Sequence, residues 1–385
     1  MTWRLVRMLR TMDETTMNIS TMVVPFLLSA LLGWLFIPRV LILSHRKRLF
    51  DMPDERKMHE MPVPRLGGIT FLPILLMSIT LVMGLWVMLG HTYQVDNLPL
   101  LVTRFLLLFV GLMMLYLVGV VDDLIGVSYQ AKFMVQIVCA LLFPLSGLWI
   151  HDLSGLFFIN EIPAWIGIPL TVFMVVYITN AINLIDGLDG LAAGICFVAL
   201  FTLGLAAAVR SQHLFMIVAF GMLGILLPFW IFNVFGKVTT GKKIFMGDTG
   251  ALTLGYLVSF LFIYMASGAG CTFPREMLII GLSTMLLPMF DIVRVVMARI
   301  RNHKNPFLPD KNHIHHKLLR TGIGPHLTMF IIVMVSLIIV VVTLAGVHFH
   351  LPSTGIFLLA LAVWLAFDYT VNYFIHRNHS QRFEK

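Results

Sequence analysis

The chain has 385 residues, 59% of them hydrophobic and only 12% charged, with a mean hydropathy of +0.92. A soluble domain is nearer half apolar and a quarter charged, so this composition excludes a water-soluble globule and points to an all-α polytopic membrane protein. The formal net charge of +8 and pI near 9.5 suit anionic lipid headgroups or a phosphate-bearing substrate better than nucleic acid.

A helix crosses the hydrocarbon with roughly 20 apolar residues. Eleven stretches meet or approach that length: 21–43, 67–89, 100–121, 131–150, 165–182, 190–209, 214–232, 249–267, 276–293, 326–346 and 353–375. Residues 1–20 read as a leader, 21–375 as one transmembrane domain and 376–385 as a short cytoplasmic tail. Most Lys and Arg fall after spans 1, 7 and 9 and in the tail, which predicts those segments inside and the N-terminus outside. Arg4, Arg7 and Arg10 run against this orientation, and a start at Met12 or Met17 would remove the conflict. The leader is too polar for a cleavable signal peptide. Cys139, Cys196 and Cys271 have neither metal-ligand nor pairing spacing and read as core residues.

Between these spans the polar residues gather at the inner ends. In "DMPDERKMHEMPVPRLGG" (51–68), Asp54, Glu55 and Glu60 read as solvated charges of a mixed loop, with Arg65 near its end. In "GVVDDLIGVSYQAK" (119–132), Asp122 and Asp123 close an apolar span directly, where each raises the proton affinity of the other and the pair suits a cation or a base. Lys132 either holds an anion or snorkels to the headgroups.

"NAINLIDGLDGLAAG" (180–194) sets Asn183, Asp186 and Asp189 on one side of a turn between spans, and Gly187 and Gly190 leave room for a ligand. A calcium loop would need more oxygen ligands and a terminal Glu. "KKIFMGDTGALTLGY" (242–256) places Asp248 before span 8, with Asp248 or Thr249 available as the helix cap.

"NPFLPDKNHIHHKLLRTG" (305–322) groups His313, His315 and His316 with Lys311, Lys317 and Arg320. That spacing is not the i, i+4 of a zinc helix, and imidazoles among cations fit phosphate oxygens better. Asp291 and Arg294 read as an intrahelical ion pair.

Carboxylates for Mg²⁺, cations for phosphate oxygens, and no Ser-His-Asp or reactive-Cys set make a kit for phosphate-ester chemistry at a membrane surface. An ion-coupled transporter would place such charges near the midplane on broken helices. A CDP-alcohol phosphotransferase would follow its Asp-Gly with Ala-Arg, whereas Ala192 and Ala193 stand here without Arg.

The five motifs, in this order across about residues 44–325, resemble the polyprenyl-phosphate N-acetylhexosamine-1-phosphate transferase family. The run at 64–68 and the His-Ile-His-His at 313–316 are similar to its undecaprenyl-phosphate N-acetylglucosamine-1-phosphate transferase branch. The phospho-N-acetylmuramoyl-pentapeptide transferase branch differs at both places.

The resemblance implies a multi-pass protein of the bacterial cytoplasmic (inner) membrane whose catalytic cleft faces the cytoplasm. It would transfer a sugar-1-phosphate, N-acetylglucosamine-1-phosphate above all, from a UDP-N-acetylhexosamine to undecaprenyl phosphate. UMP would leave, and a lipid-linked envelope glycan such as lipopolysaccharide would begin. It implies Mg²⁺, with Mn²⁺ as an acceptable substitute, and allows a homodimer. By motif position, Asp248 with Asp123 would bind the metal, and Asp122 or Asp123 would deprotonate or orient the lipid phosphate. Asn183, Asp186, Asp189, Asn233, Lys132 and Arg65 would contact substrate, and Phe245 would pack near the uracil. His313, His315 and His316 would meet phosphates or sugar in the catalytic set. Direct attack by the anionic lipid phosphate is preferred to a covalent phospho-enzyme.

Overall fold

A computed structural model describes residues 14–47, 49, 63–90, 98–268, 276–305 and 312–383. Arg4, Arg7, Arg10, Met12, Asp51, Asp54, Glu55, Glu60, Cys271 and Lys311 lie outside the described residues, as do most of the leader and of the first inner loop.

The chain runs through α1 (Glu14–Lys47), a 3-10 turn (Gly67–Thr70), α2 (Phe71–Met88), α3 (Leu98–Ile125) and α4 (Tyr129–Leu145). A hairpin of β1 (Asp152–Leu156) and β2 (Ile159–Glu161) follows, then α5 (Ala164–Ile185), α6 (Leu191–Val209), α7 (His213–Phe235) and α8 (Gly247–Ala266). The chain continues with α9 (Met277–Arg301), α10 (Ile314–Arg320), α11 (Pro325–His348) and α12 (Ser353–Phe383).

Among the described residues ten helices are long and apolar enough to cross a bilayer. The expected fourth span is the 17-residue α4. At 1.5 Å per residue it reaches about 26 Å, a little short of the roughly 30 Å of hydrocarbon.

Helix α8 is the axis of the bundle, with every residue from 249 to 265 buried. Its neighbours approach closely because small residues face it. A β-carbon on Gly119 of α3 would stand 2.4 Å from the Thr249 Cα, and one on α8 Gly255 would stand 2.6 Å from the Thr179 Cα of α5. On the outer helices Leu27, Leu106, Met134 and Phe173 are each about 60% exposed, a surface that lipid covers and water does not.

The hairpin is a departure from the all-α expectation. Its strands pair antiparallel with Leu156 opposite Ile159, and the two turn residues Phe157 and Phe158 both have positive φ, 53° and 63°. The start of α12 fastens it: Ser353 Oγ donates to the Ser154 carbonyl at 2.6 Å, and Thr354 Oγ1 accepts from Phe157 N at 2.7 Å.

The interior is zoned along α8. Towards its C-terminal end Phe143 meets Tyr256 edge-on at 5.1 Å, and Phe105, Phe215, Phe260 and Tyr264 stack into one cluster. Towards its N-terminal end the buried Gln136 of α4 pairs with Asn180 of α5, whose Nδ2 donates to Gln136 Oε1 at 2.5 Å. Beyond that pair lie the charged residues.

Candidate active site

The C-terminal ends of α3 and α5 and the N-terminal ends of α4, α6 and α8 meet at one end of the bundle. Asp122, in the last turn of α3, accepts from Val127 N at 2.6 Å through Oδ1 and from Lys132 Nζ at 2.9 Å through Oδ2. The same Nζ donates to Asp248 Oδ2 at 3.2 Å. One ammonium is therefore shared between two carboxylates. Asn183, near the end of α5, donates its Nδ2 to the other oxygen of Asp248. Lys132 thus holds carboxylates rather than snorkelling to headgroups.

Asp123 has a different task. Its Oδ1 accepts from Asp248 N at 2.8 Å, and its Oδ2 accepts from Thr249 N at 3.0 Å and Thr249 Oγ1 at 2.6 Å. A carboxylate reaching over from α3 thereby caps the N-terminus of α8, where free N–H groups and the helix dipole favour an anion. The sequence pointed to Asp248 or Thr249 for that cap, and the structure corrects this: the Asp248 carboxylate takes Lys132 and Asn183, and Thr249 Oγ1 donates to Asp123. Gly247 makes the approach possible: it has φ +70°, and a β-carbon there would stand 2.2 Å from the Arg65 carbonyl and 2.5 Å from Asp123 Oδ2.

Residues 64–68 lie alongside residues 245–246. Phe245 N donates to the Pro64 carbonyl at 2.8 Å, and Gly67 N and Gly68 N donate to the Phe245 and Met246 carbonyls, each at 2.9 Å. Arg65 and Phe245 are brought to the same rim in this way.

The turn between α5 and α6 carries Asp186 and Asp189. Burial, and then the carboxylates of Asp248, Asp189 and Asp123, push the Asp186 carboxyl well above the usual range, with Arg65 opposing them. Asp189 Oδ2 takes Lys243 Nζ at 2.6 Å, both side chains being nearly buried.

Asn233, at the end of α7, spends its whole amide on backbone. Its Oδ1 accepts from Gly190 N at 2.5 Å and its Nδ2 donates to the Ile244 carbonyl at 2.7 Å. Expected as a substrate contact, it ties the Asp186–Asp189 turn to the segment before Asp248 through these two bonds.

The histidine run forms the start of α10. His313 Nδ1 donates to Asp291 Oδ2 at 2.8 Å, and Ile314 N donates to Asp291 Oδ1 at 2.9 Å. Asp291 does pair with Arg294 at 2.6 Å as expected, but its larger part is to anchor α10. His315 is 1% exposed with neither ring nitrogen hydrogen-bonded. Burial, then His316 and His313, push its imidazole down to about 3. His316 lies against it, ring centres 4.2 Å apart.

The structure thus gathers Asp122, Asp123, Lys132, Asn183, Asp186, Arg65 and Asp248 into one cluster. It puts Asp189 with Lys243 beside them, Asn233 beneath and the histidines against the turn. Sequence reasoning missed the Lys243 partnership, the Gln136–Asn180 pair and Asp368 of α12. A lone carboxylate in an apolar span such as Asp368 is itself a signal.

Among the described residues no three His, Cys, Asp or Glu side chains form a ready metal cage. The donor set still fits Mg²⁺, which takes one or two carboxylates and completes its shell with water and phosphate. The oxygens are hard, and beside the burial that chiefly raises the Asp186 pKa, the carboxylates of Asp248, Asp189 and Asp123 raise it further, with Arg65 opposing them, a crowding of negative charge that a cation would relieve. Asp123 is the poorest ligand of the set, since three donors already engage its oxygens.

Comparison with known proteins adds an independent line. A family model described as glycosyl transferase family 4 matches residues 105–266. A protein of Bacillus subtilis (strain 168) named probable undecaprenyl-phosphate N-acetylglucosaminyl 1-phosphate transferase is 31% identical over 328 residues, 85% of this chain and 84% of the relative. Undecaprenyl-phosphate alpha-N-acetylglucosaminyl 1-phosphate transferases of Yersinia pestis and Escherichia coli (strain K12) are 25% and 26% identical. They align over 88% and 84% of this chain, and over 88% and 83% of their own lengths.

Proposed function

The chain belongs to glycosyl transferase family 4, in the branch of the undecaprenyl-phosphate N-acetylglucosamine 1-phosphate transferases. From that premise we propose that it transfers N-acetylglucosamine 1-phosphate from UDP-N-acetylglucosamine to undecaprenyl phosphate, with release of UMP. The observation that carries this reading is the shared ammonium of Lys132 between Asp122 and Asp248, with Asn183 and Asp186 beside it. Cations and carboxylates so interleaved at helix ends suit a diphosphate and its metal, because each new phosphate oxygen finds either a donor or a bridging cation.

In this reading an oxygen of the lipid phosphate attacks the sugar-bearing phosphorus, and the bond from that phosphorus to the bridging oxygen breaks, so the bridging oxygen leaves with UMP. The attacking group is already an anion, so placement matters more than proton removal. Lys132, released from Asp122, is the cation that receives it. Asp186, Asn183 and the Asp189–Lys243 pair frame the nucleotide-sugar, with Arg65 and Phe245 at its rim. Asp248 with Asp186 or Asp122 would hold Mg²⁺, which would supply charge neutralisation at the diphosphate. Asp123 keeps Asp248 in place through the α8 cap.

The site then faces the cytoplasm of a bacterial inner membrane, where nucleotide-sugars are found, and the N-terminus lies outside. Transporter chemistry is disfavoured because the carboxylates sit at helix ends, and the pentapeptide transferase reading because the named relatives carry the other sugar.

The test is purified protein with undecaprenyl phosphate and a panel of UDP-sugars, with UMP release measured before and after chelation and on return of Mg²⁺ or Mn²⁺. UMP should appear only when lipid phosphate, N-acetylglucosamine donor and metal are all present. No release with any donor would refute the reading. Exchange of UMP into UDP-sugar without lipid would overturn direct attack.

A further inference from the structure

The histidine helix α10 is short, and its place is set by charges on two flanking helices. On one side Asp291 of α9, itself 1% exposed, takes His313 Nδ1 and the Ile314 N–H. On the other, Lys317 Nζ donates to Asp368 Oδ1 of α12 at 2.6 Å. Arg294 ties the two sides together. It lies 2.6 Å from Asp291, 3.4 Å from Asp368, and donates to the Asn312 carbonyl at 2.6 Å. Asp368 Oδ2 accepts from Asn372 Nδ2 at 3.0 Å, which fixes its rotamer on its own helix.

Between these two holds stands His315. A β-carbon on Gly187 would stand 2.5 Å from its Nε2, so the imidazole is pressed edge-on against the Asp186–Asp189 turn. A buried imidazole with neither nitrogen paired gives up its hydrogen bonds to water without replacing them. The fold bears that cost because both sides of α10 are pinned.

We propose that Asp368, on the last helix, is a positioning residue for the transfer, holding α10 through Lys317 and Arg294 so that His315 keeps its unpaired edge on the nucleotide-sugar turn. The proposal rests on the function proposed above. Asp368 lies outside the matched residues 105–266, and the proposal gives the C-terminal span a task beyond packing and fastening the hairpin.

The role separates from plain stability by which constant moves. Displacing a positioning element by a fraction of an ångström to an ångström costs on the order of ten- to a hundredfold, and here it falls on the nucleotide-sugar side only.

The experiment compares full-length wild type with Asp368→Asn, Asp368→Glu and Lys317→Gln. It measures kcat, KM for UDP-N-acetylglucosamine, KM for undecaprenyl phosphate and Tm, together with carbethoxylation of His315 by diethylpyrocarbonate read by mass spectrometry. For Asp368→Asn, KM for the nucleotide-sugar should rise about tenfold or more while KM for the lipid stays, and His315 should pass from protected to reactive. Asp368→Glu should recover part of both. If Asp368→Asn does not yield folded protein, Lys317→Gln cuts the same ion pair and carries the same expectation.

Unchanged KM with unchanged protection of His315 overturns the proposal. So does a lowered Tm with an equal loss on both substrates. The labelling needs no turnover, so a wild type inactive on UDP-sugars would sink the proposed function while protection of His315 still tests the clamp.

Discussion

The two aspartates nearest the start of α8 should separate cleanly when each is made an amide. Asp123→Asn keeps the shape but not the acceptors: three donors converge on Asp123, and an amide offers one oxygen and turns an N–H₂ towards another N–H. One hydrogen bond to a charged acceptor, worth roughly 1.5–3 kcal/mol, is lost, and part of the charge–dipole gain at the cap, about 0.3–1 kcal/mol, goes with it. The expected destabilisation is about 2–4 kcal/mol. Asp248→Asn leaves the Asn183 bond an acceptor and keeps a polar group facing Asp122, and it gives up a partly exposed ion pair with Lys132, worth at most about 1 kcal/mol. Differential scanning fluorimetry in one detergent should therefore show Asp123→Asn several degrees below wild type and Asp248→Asn close to it. UMP release should fall by at least about a hundredfold in both. Equal Tm values, or Asp248→Asn as the less stable variant, would refute the division into cap and ligand. Normal turnover in Asp248→Asn would refute its place at the metal.

Two further outcomes follow from buried groups. Asn233→Ala orphans the Gly190 N–H and the Ile244 carbonyl together, so it should cost about 2–5 kcal/mol and lower kcat without substrate contact, read as a Tm drop with the activity loss. His315 is held near 3 in the fold by burial, below the 6.5 of an exposed imidazole, so the unfolded chain binds more protons between those values. Stability should then fall as pH drops below 6.5, by about 1.4 kcal/mol per unit well inside that window. His315→Gln should flatten the Tm-against-pH curve between 6.5 and 4.5, and an unchanged slope would refute a neutral buried His315.

The spans were legible because apolar runs of membrane length have few other uses, and the site because charge at a span end is costly and hence kept for a purpose. Asp122, Asp186 and Asp248 stood out as carboxylates at span ends, Asp186 also by its spacing and flanking glycines, and their roles came from the resemblance. Local pattern does not reveal partners far apart in the chain. Lys243 was read only as a neighbour of Asp248, though it closes on Asp189, 54 residues away. Asn233 was read as a ligand contact because a polar residue at a helix end fits both readings, and only the backbone groups facing it decide. Asp291 with Arg294 satisfied an i, i+3 rule, which hid the tie to His313. The hairpin turn escaped because two phenylalanines with positive φ break the Asn-Gly preference that would have announced it.

The aromatic cluster around the far half of α8 has an electrical consequence. Beyond the buried Gln136–Asn180 pair, Phe105, Phe143, Phe215, Tyr256, Phe260 and Tyr264 pack around the far half of α8, with the buried Arg104 over the Tyr264 ring, so in a bilayer an applied potential would drop largely over that low-polarity layer. A full unit charge crossing 100 mV exchanges about 2.3 kcal/mol, and a charge that stopped among the carboxylates would sense only a fraction of that.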